Sequence, residues 1–135
     1  MRRMESDYCF VCGPLNSIGL HLDITEGDGW ARARWVVEKP YIGYDNILHG
    51  GIITAIMDDL MAHAIYCRDV DVMTVHLELD FRSPAHVGDE IICEAHIAEE
   101  GKGRSIKTAG NIYVGDRLVA EAKGVMVIVQ DPEKK

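Results

Sequence analysis

The sequence predicts an α+β fold, an antiparallel sheet of five to six strands wrapped around one long central helix, in the order β-β-α-β-β-β-β. Three observations carry that expectation. Apolar residues alternate with period two through much of the chain, the mark of half-buried strands. Between residues 50 and 67 the alternation gives way to a stretch that is apolar at nearly every position except Thr54, Asp58, Asp59 and His63, which reads as a buried helix. Pro14, Pro40, Pro84 and Pro132 fall between periodic segments and never inside one.

The elements follow in order. Leu20, Leu22 and Ile24 alternate with His21 and Asp23, a strand over 20–24. Glu26-Gly27-Asp28-Gly29 supplies turn chemistry. Alternation resumes over 30–37, with Ala31, Ala33, Trp35 and Val37 on one side and Arg32 and Arg34 on the other, so the pair reads as a hairpin. After a loop at 41–48 comes the helix, 50–67. Residues 72–82 then form a strand with Met73, Val75, Leu77, Leu79 and Phe81 on one face and Thr74, His76, Glu78, Asp80 and Arg82 on the other. Turn residues at 83–89 lead to a strand marked by Ile91, Cys93, Ala95 and Ile97, and the 99–103 turn leads to 105–114. Gly115-Asp116 closes a tight hairpin into 117–129.

Composition bounds what such a domain can do. The 135 residues fit one domain, 1–135. A net charge of −8 disfavours a sequence-independent nucleic-acid or anionic-membrane binder, which needs a basic face. The longest apolar run falls far short of the ~20 residues that span a bilayer. The expected compartment is the cytoplasm, with thiols reduced. Cys9-x-x-Cys12 is a lone pair, Cys67 and Cys93 stand apart, and a structural zinc needs four ligands, so neither metal nor cofactor is expected. His63, His76, His86 and His96 read as surface histidines without a role.

The chemically informative segment is 48–59. His49 precedes two glycines that open the helix, whose first turn has free N–H groups and a positive dipole end. Gly50 and Gly51 let a ligand approach that backbone, although a Gly-Gly pair alone is explained as well by tight helix–strand packing. Asp58 and Asp59 lie too deep to cap the helix. Their neighbours are apolar, and Lys39 is the one Lys or Arg between Arg34 and Arg68. An unpaired carboxylate in a partly dry cleft has the raised basicity of a general base.

His49-Gly50-Gly51 followed by Asp58 resembles the hotdog-fold acyl-CoA thioesterases, and among them the branch typified by phenylacetate-pathway and 4-hydroxybenzoyl-CoA thioesterases. Phe81-Arg82-Ser83-Pro84 with Gly88-Asp89, and Cys9-Phe10-Val11-Cys12-Gly13 with Asn16 and Gly19-Leu20, extend the resemblance from about Cys9 to Val129. It implies hydrolysis of an acyl- or aroyl-CoA thioester. Asp58 would be the catalytic carboxylate, as base for water or as nucleophile. The Gly50 N–H would polarise the carbonyl with His49 in support, and the Thr74 hydroxyl would position water. Relatives often carry Asn or Gln where this chain has Gly43, so Asn46 becomes the candidate to orient the carbonyl. The resemblance also implies a homodimer with shared sites, or a dimer of dimers. Arg82, Lys102, Arg104 and Lys107 are candidates for the nucleotide end of CoA, and Met57, Met61 and Ala62 for the acyl pocket floor. Two other readings remain: a non-catalytic acyl-CoA-binding module, and a hotdog enoyl-thioester hydratase or dehydratase.

Overall fold

The computed structural model describes residues 5–101 and 103–129; Lys102 and Pro132 lie outside that set. Strands β1 (Ile24–Gly27) and β2 (Trp30–Val36) precede the helix α1 (Gly50–Ile65), and β3 (Asp71–Phe81), β4 (Glu90–Glu100), β5 (Ser105–Val114) and β6 (Arg117–Val129) follow it. All six strands are antiparallel neighbours in one sheet, ordered β1-β2-β4-β5-β6-β3. The hotdog architecture expected from the sequence is present.

The core lies where the sheet closes on the helix. Ile53, Ile56, Met57, Leu60, Met61, Ala64 and Ile65 are buried, a stripe at helical spacing that faces the strands. Ala31, Ala33, Trp35 and Val37 are buried together as their alternation predicts. Helix and sheet meet closely where side chains are absent. A β-carbon on Gly110 of β5 would stand 2.6 Å from the Glu94 carbonyl oxygen and 3.2 Å from the Met57 side chain. Met57 and Met61 are fully buried in this contact, so they pack the core and do not floor an open pocket.

Several boundaries differ from the expectation, each for a physical reason. The first strand begins at Ile24 and not at Leu20, and Glu26 and Gly27 belong to it, so the turn shrinks to Asp28-Gly29. Leu20 and Leu22 are buried nonetheless, because their N–H groups bond the carbonyls of Phe10 and Val11 in an N-terminal segment folded against the core. The helix ends at Ile65 and tightens into a 3-10 turn at Tyr66–Arg68, closed by Asp69 in the left-handed conformation.

β3 departs most. Its ladder with β6 skips Val75, a β-bulge between Thr74 and His76. The extra residue resets the alternation. Thr74 pairs with the buried Met126 and turns toward the helix, while Met73 and Val75 are more than half exposed. The single apolar face drawn from strict alternation is therefore split.

Candidate functional site

His49 caps α1 directly. Its Nδ1 accepts the Gly51 N–H at 2.8 Å. An Nδ1 that accepts must be unprotonated, so the neutral ring carries its proton on Nε2. The cap occupies the Gly51 amide and leaves the Gly50 N–H, at the positive end of the helix, with no acceptor among the described residues. The Phe81 ring lies close to Gly50, where a β-carbon would meet it at 3.6 Å. Gly43, Tyr44, Ile47, Leu48, His49 and Gly50 line a shallow cleft of about 400 Å³.

The two adjacent aspartates have different surroundings. Successive residues on a helix diverge by about 100°, so Asp58 faces β3 while Asp59 faces the N-terminal segment. The Thr74 hydroxyl donates to Asp58 Oδ1 at 2.6 Å. Thr74 stands opposite the buried Met126 in the ladder with β6, which puts its hydroxyl on the inner side where Asp58 lies. Asp58 is half-buried, and its second oxygen has no partner among the described residues.

Asp59 belongs to a cluster that sequence reasoning missed. The Cys9 thiol donates to Asp59 Oδ1 at 3.6 Å. Asp59 Oδ2 is buried with no hydrogen-bond partner among the described residues, although His63 Nε2 stands 3.5 Å away. The same Nε2 lies 3.4 Å from the Cys12 sulfur, and His63 Nδ1 bonds the Glu26 carboxylate. His63 is thus not a surface histidine: it is one turn beyond Asp59 and held from two sides. Burial lowers its pKa, but the Asp59 and Glu26 carboxylates outweigh that and the net shift is upward. Burial and the Asp59 charge both raise the Cys12 thiol well above its ordinary range. The i, i+4 spacing of Asp59 and His63 was a signal in the sequence. Their meeting with Cys9 and Cys12, some 50 residues away, was not.

The remaining candidates are dispersed. Asn46 sits exposed in a turn with φ +64°, its carbonyl bonded to the Val87 N–H, and it does not line the cleft at His49. The Arg82 guanidinium bonds Glu121 at 2.8 Å and also pairs with Asp80. Arg82 bonds Val119 and Arg104 bonds Ile128 through the backbone. Nine residues of β6 separate these points, about 30 Å at ~3.3 Å per residue, so the two arginines are not one basic patch around the 99–103 turn. Lys107 pairs with Glu99 at 3.8 Å, and Lys102 is outside the described residues. No described helix is long and apolar enough to cross a membrane.

Comparison with known proteins agrees with this architecture. Residues 45–121 match the profile of the thioesterase superfamily. Mouse acyl-coenzyme A thioesterase 13 is 32% identical over 68 residues, 49% of each chain. The chain spans about half the length of the acyl-coenzyme A thioesterases it matches. The E. coli PaaI protein from the phenylacetic acid degradation operon superposes with TM-score 0.74 at 23% identity, over 80% of this chain and 83% of that one. A thioesterase protein of Streptococcus pneumoniae, solved with coenzyme A, superposes with TM-score 0.76 at 16% identity, covering 82% and 87%. Two further structures of that protein carry an aspartate-to-alanine and a threonine-to-alanine change, sixteen positions apart.

Proposed function

Since the chain belongs to the thioesterase superfamily, we propose that it hydrolyses an acyl- or aroyl-CoA thioester to the free acid and CoA, with Asp58 as the catalytic carboxylate. One observation carries the reading: a half-buried carboxylate with one oxygen fixed by Thr74 and the other available. Thr74 and Asp58 have the same separation as the two residues substituted in the streptococcal thioesterase. That proteins of this fold are solved with coenzyme A or acetyl-CoA supports a CoA thioester as substrate.

The chemistry needs a base and an oxyanion donor on the same thioester. The Gly50 amide is the donor, supported by the His49 cap. Gly50 and Asp58 stand eight residues apart on one helix, about 12 Å at 1.5 Å per residue. That is too far for both to act on one carbonyl. Asp58 must therefore work with the Gly50 of a second copy, so the active form is a homodimer with shared sites. The exposed Met73 and Val75 on the free edge of β3 give that copy a surface to cover.

The test is thiol release from short, medium, long and aromatic acyl-CoAs. Asp58→Asn is expected to lower kcat by at least about a hundredfold. Asp59→Asn, assayed where circular dichroism shows it folded, is expected to keep kcat within a few-fold. No thiol release across the panel, or equal losses in both variants, overturns the proposal.

A further inference from the structure

We propose that Cys9, Cys12, Asp59 and His63 form a closed, four-coordinate zinc site that ties the N-terminal segment to α1. The Cys9, Cys12 and Asp59 ligand atoms all lie within 4.8 Å of one another. Cys9 Sγ is 3.6 Å from Asp59 Oδ1, Cys12 Sγ is 3.4 Å from His63 Nε2, and His63 Nε2 is 3.5 Å from Asp59 Oδ2. Ligands 2.0–2.3 Å from a tetrahedral zinc stand about 3.3–3.8 Å from each other. Three of the pairs have such spacings, and His63, outside the 4.8 Å group, is brought in through Cys12 and Asp59 Oδ2.

Three further features fit a cation at this place. Asp59 Oδ2 is a buried acceptor without a hydrogen bond, with His63 Nε2 3.5 Å away, and a cation between the two would satisfy both. Glu26 accepts from His63 Nδ1, the carboxylate–histidine arrangement that directs the Nε2 lone pair to a metal. The loop from Cys9 to Cys12 is wound tightly enough to put both thiols on one side: the Gly13 N–H bonds the Cys9 carbonyl at 2.8 Å, and a β-carbon on Gly13 would stand 2.3 Å from the Cys9 nitrogen. Two thiolates, an imidazole and a carboxylate are a zinc donor set, and four protein ligands leave no open position, so the ion is structural. Binding displaces the two thiol protons to solvent. Arg68, which pairs with Asp28 of the β1–β2 turn and with Glu100, and Arg32, across from Thr25 and paired with Glu94, already have carboxylate partners.

The experiment uses the full chain, purified under reducing conditions from zinc-supplemented cells. Plasma emission is expected to find about one zinc per chain, in the native protein and equally in Asp58→Asn and Cys67→Ser. Cobalt(II) added to the stripped, reduced protein should give the visible bands of a tetrahedral site together with a thiolate-to-cobalt charge-transfer band. Glu26→Gln changes an exposed hairpin residue, so it folds whatever happens at the cluster, and it should weaken zinc affinity about tenfold to a hundredfold. Zinc-free protein whose cobalt spectrum lacks the thiolate band overturns the proposal. So does an octahedral cobalt spectrum, which would place the ion on surface carboxylates. Neither result bears on thiol release from acyl-CoA, so this proposal and the thioesterase assignment fail separately.

Discussion

Asp58 and Asp59 are identical in type and adjacent in sequence, yet one faces a hydroxyl and the other a pair of thiols and an imidazole. Removing the Thr74 hydroxyl isolates the first environment. A hydrogen bond to a charged group contributes about 1.5–3 kcal/mol, so Thr74→Val should lower kcat roughly tenfold to a hundredfold with KM little changed, while Thr74→Ser stays near the native value. Steady-state thiol release reads this; a loss confined to KM would show that Thr74 binds substrate and does not orient Asp58. The two roles open to Asp58 separate in a single turnover in 18O-water. Label in the acid product shows water attacking the acyl carbonyl; unlabelled acid with label in the protein carboxylate shows that Asp58 attacked, expelled CoA thiolate to give an anhydride, and was regenerated by water at its own carbonyl. The Cys93 thiol takes no part in any of this, since burial in the core pushes it up to about 12.

At the scale of elements, the helix and sheet meet through glycine. Gly110→Ala would press a β-carbon against the Glu94 carbonyl and Met57, and overpacking of this kind costs about 1–3 kcal/mol; a lowered midpoint in urea with unchanged slope would show it. Most elements were legible in the sequence because the sheet has one face on the helix and one outside, so burial imposes period two on β2, β4, β5 and β6. The Ala31–Val37 alternation is the clearest case. Three features were not legible. The N-terminal segment buries Leu20 and Leu22 without being a strand, because any backbone partner satisfies the same pattern. The bulge at Val75 leaves no local mark, since the residues on either side are themselves good strand formers. The thiol–carboxylate–imidazole cluster joins residues about 50 positions apart, and only the completed fold brings them together. Asp58 stood out in the sequence as a carboxylate among apolar neighbours, and Gly50 by its place at the start of the helix; their proposed roles rest on the assay above.

For the whole molecule, assembly and activity are coupled through the distance between Gly50 and Asp58. Lysine at an edge strand opposes pairing with another strand. Val75→Lys, on the exposed side of β3, should therefore shift the chain toward monomer in light scattering and lower kcat in proportion to the dimer lost, with activity recovering as concentration rises. A fully active monomer would mean that one chain suffices. Charge is also distributed on this scale. Arg104 has no ion-pair partner among the described residues, whereas Arg82 has two. Arg104→Ala is expected to raise KM for acyl-CoA roughly twofold to fivefold, the value of an exposed ionic contact, and to flatten its dependence on salt. Arg82→Ala should change it less.

The unpaired residue of β3 also makes this strand's tolerance to length change one-sided. Excision of Val75 removes the surplus position, restores an unbroken ladder with β6, and still leaves Thr74 on the inner side opposite Met126. An insertion on either side of His76 has no such slack. It would invert every side chain between the new residue and Asp71, turning the hydroxyl out to solvent and Met73 in against a carboxylate. A shortened strand here should stay competent, and a lengthened one should not.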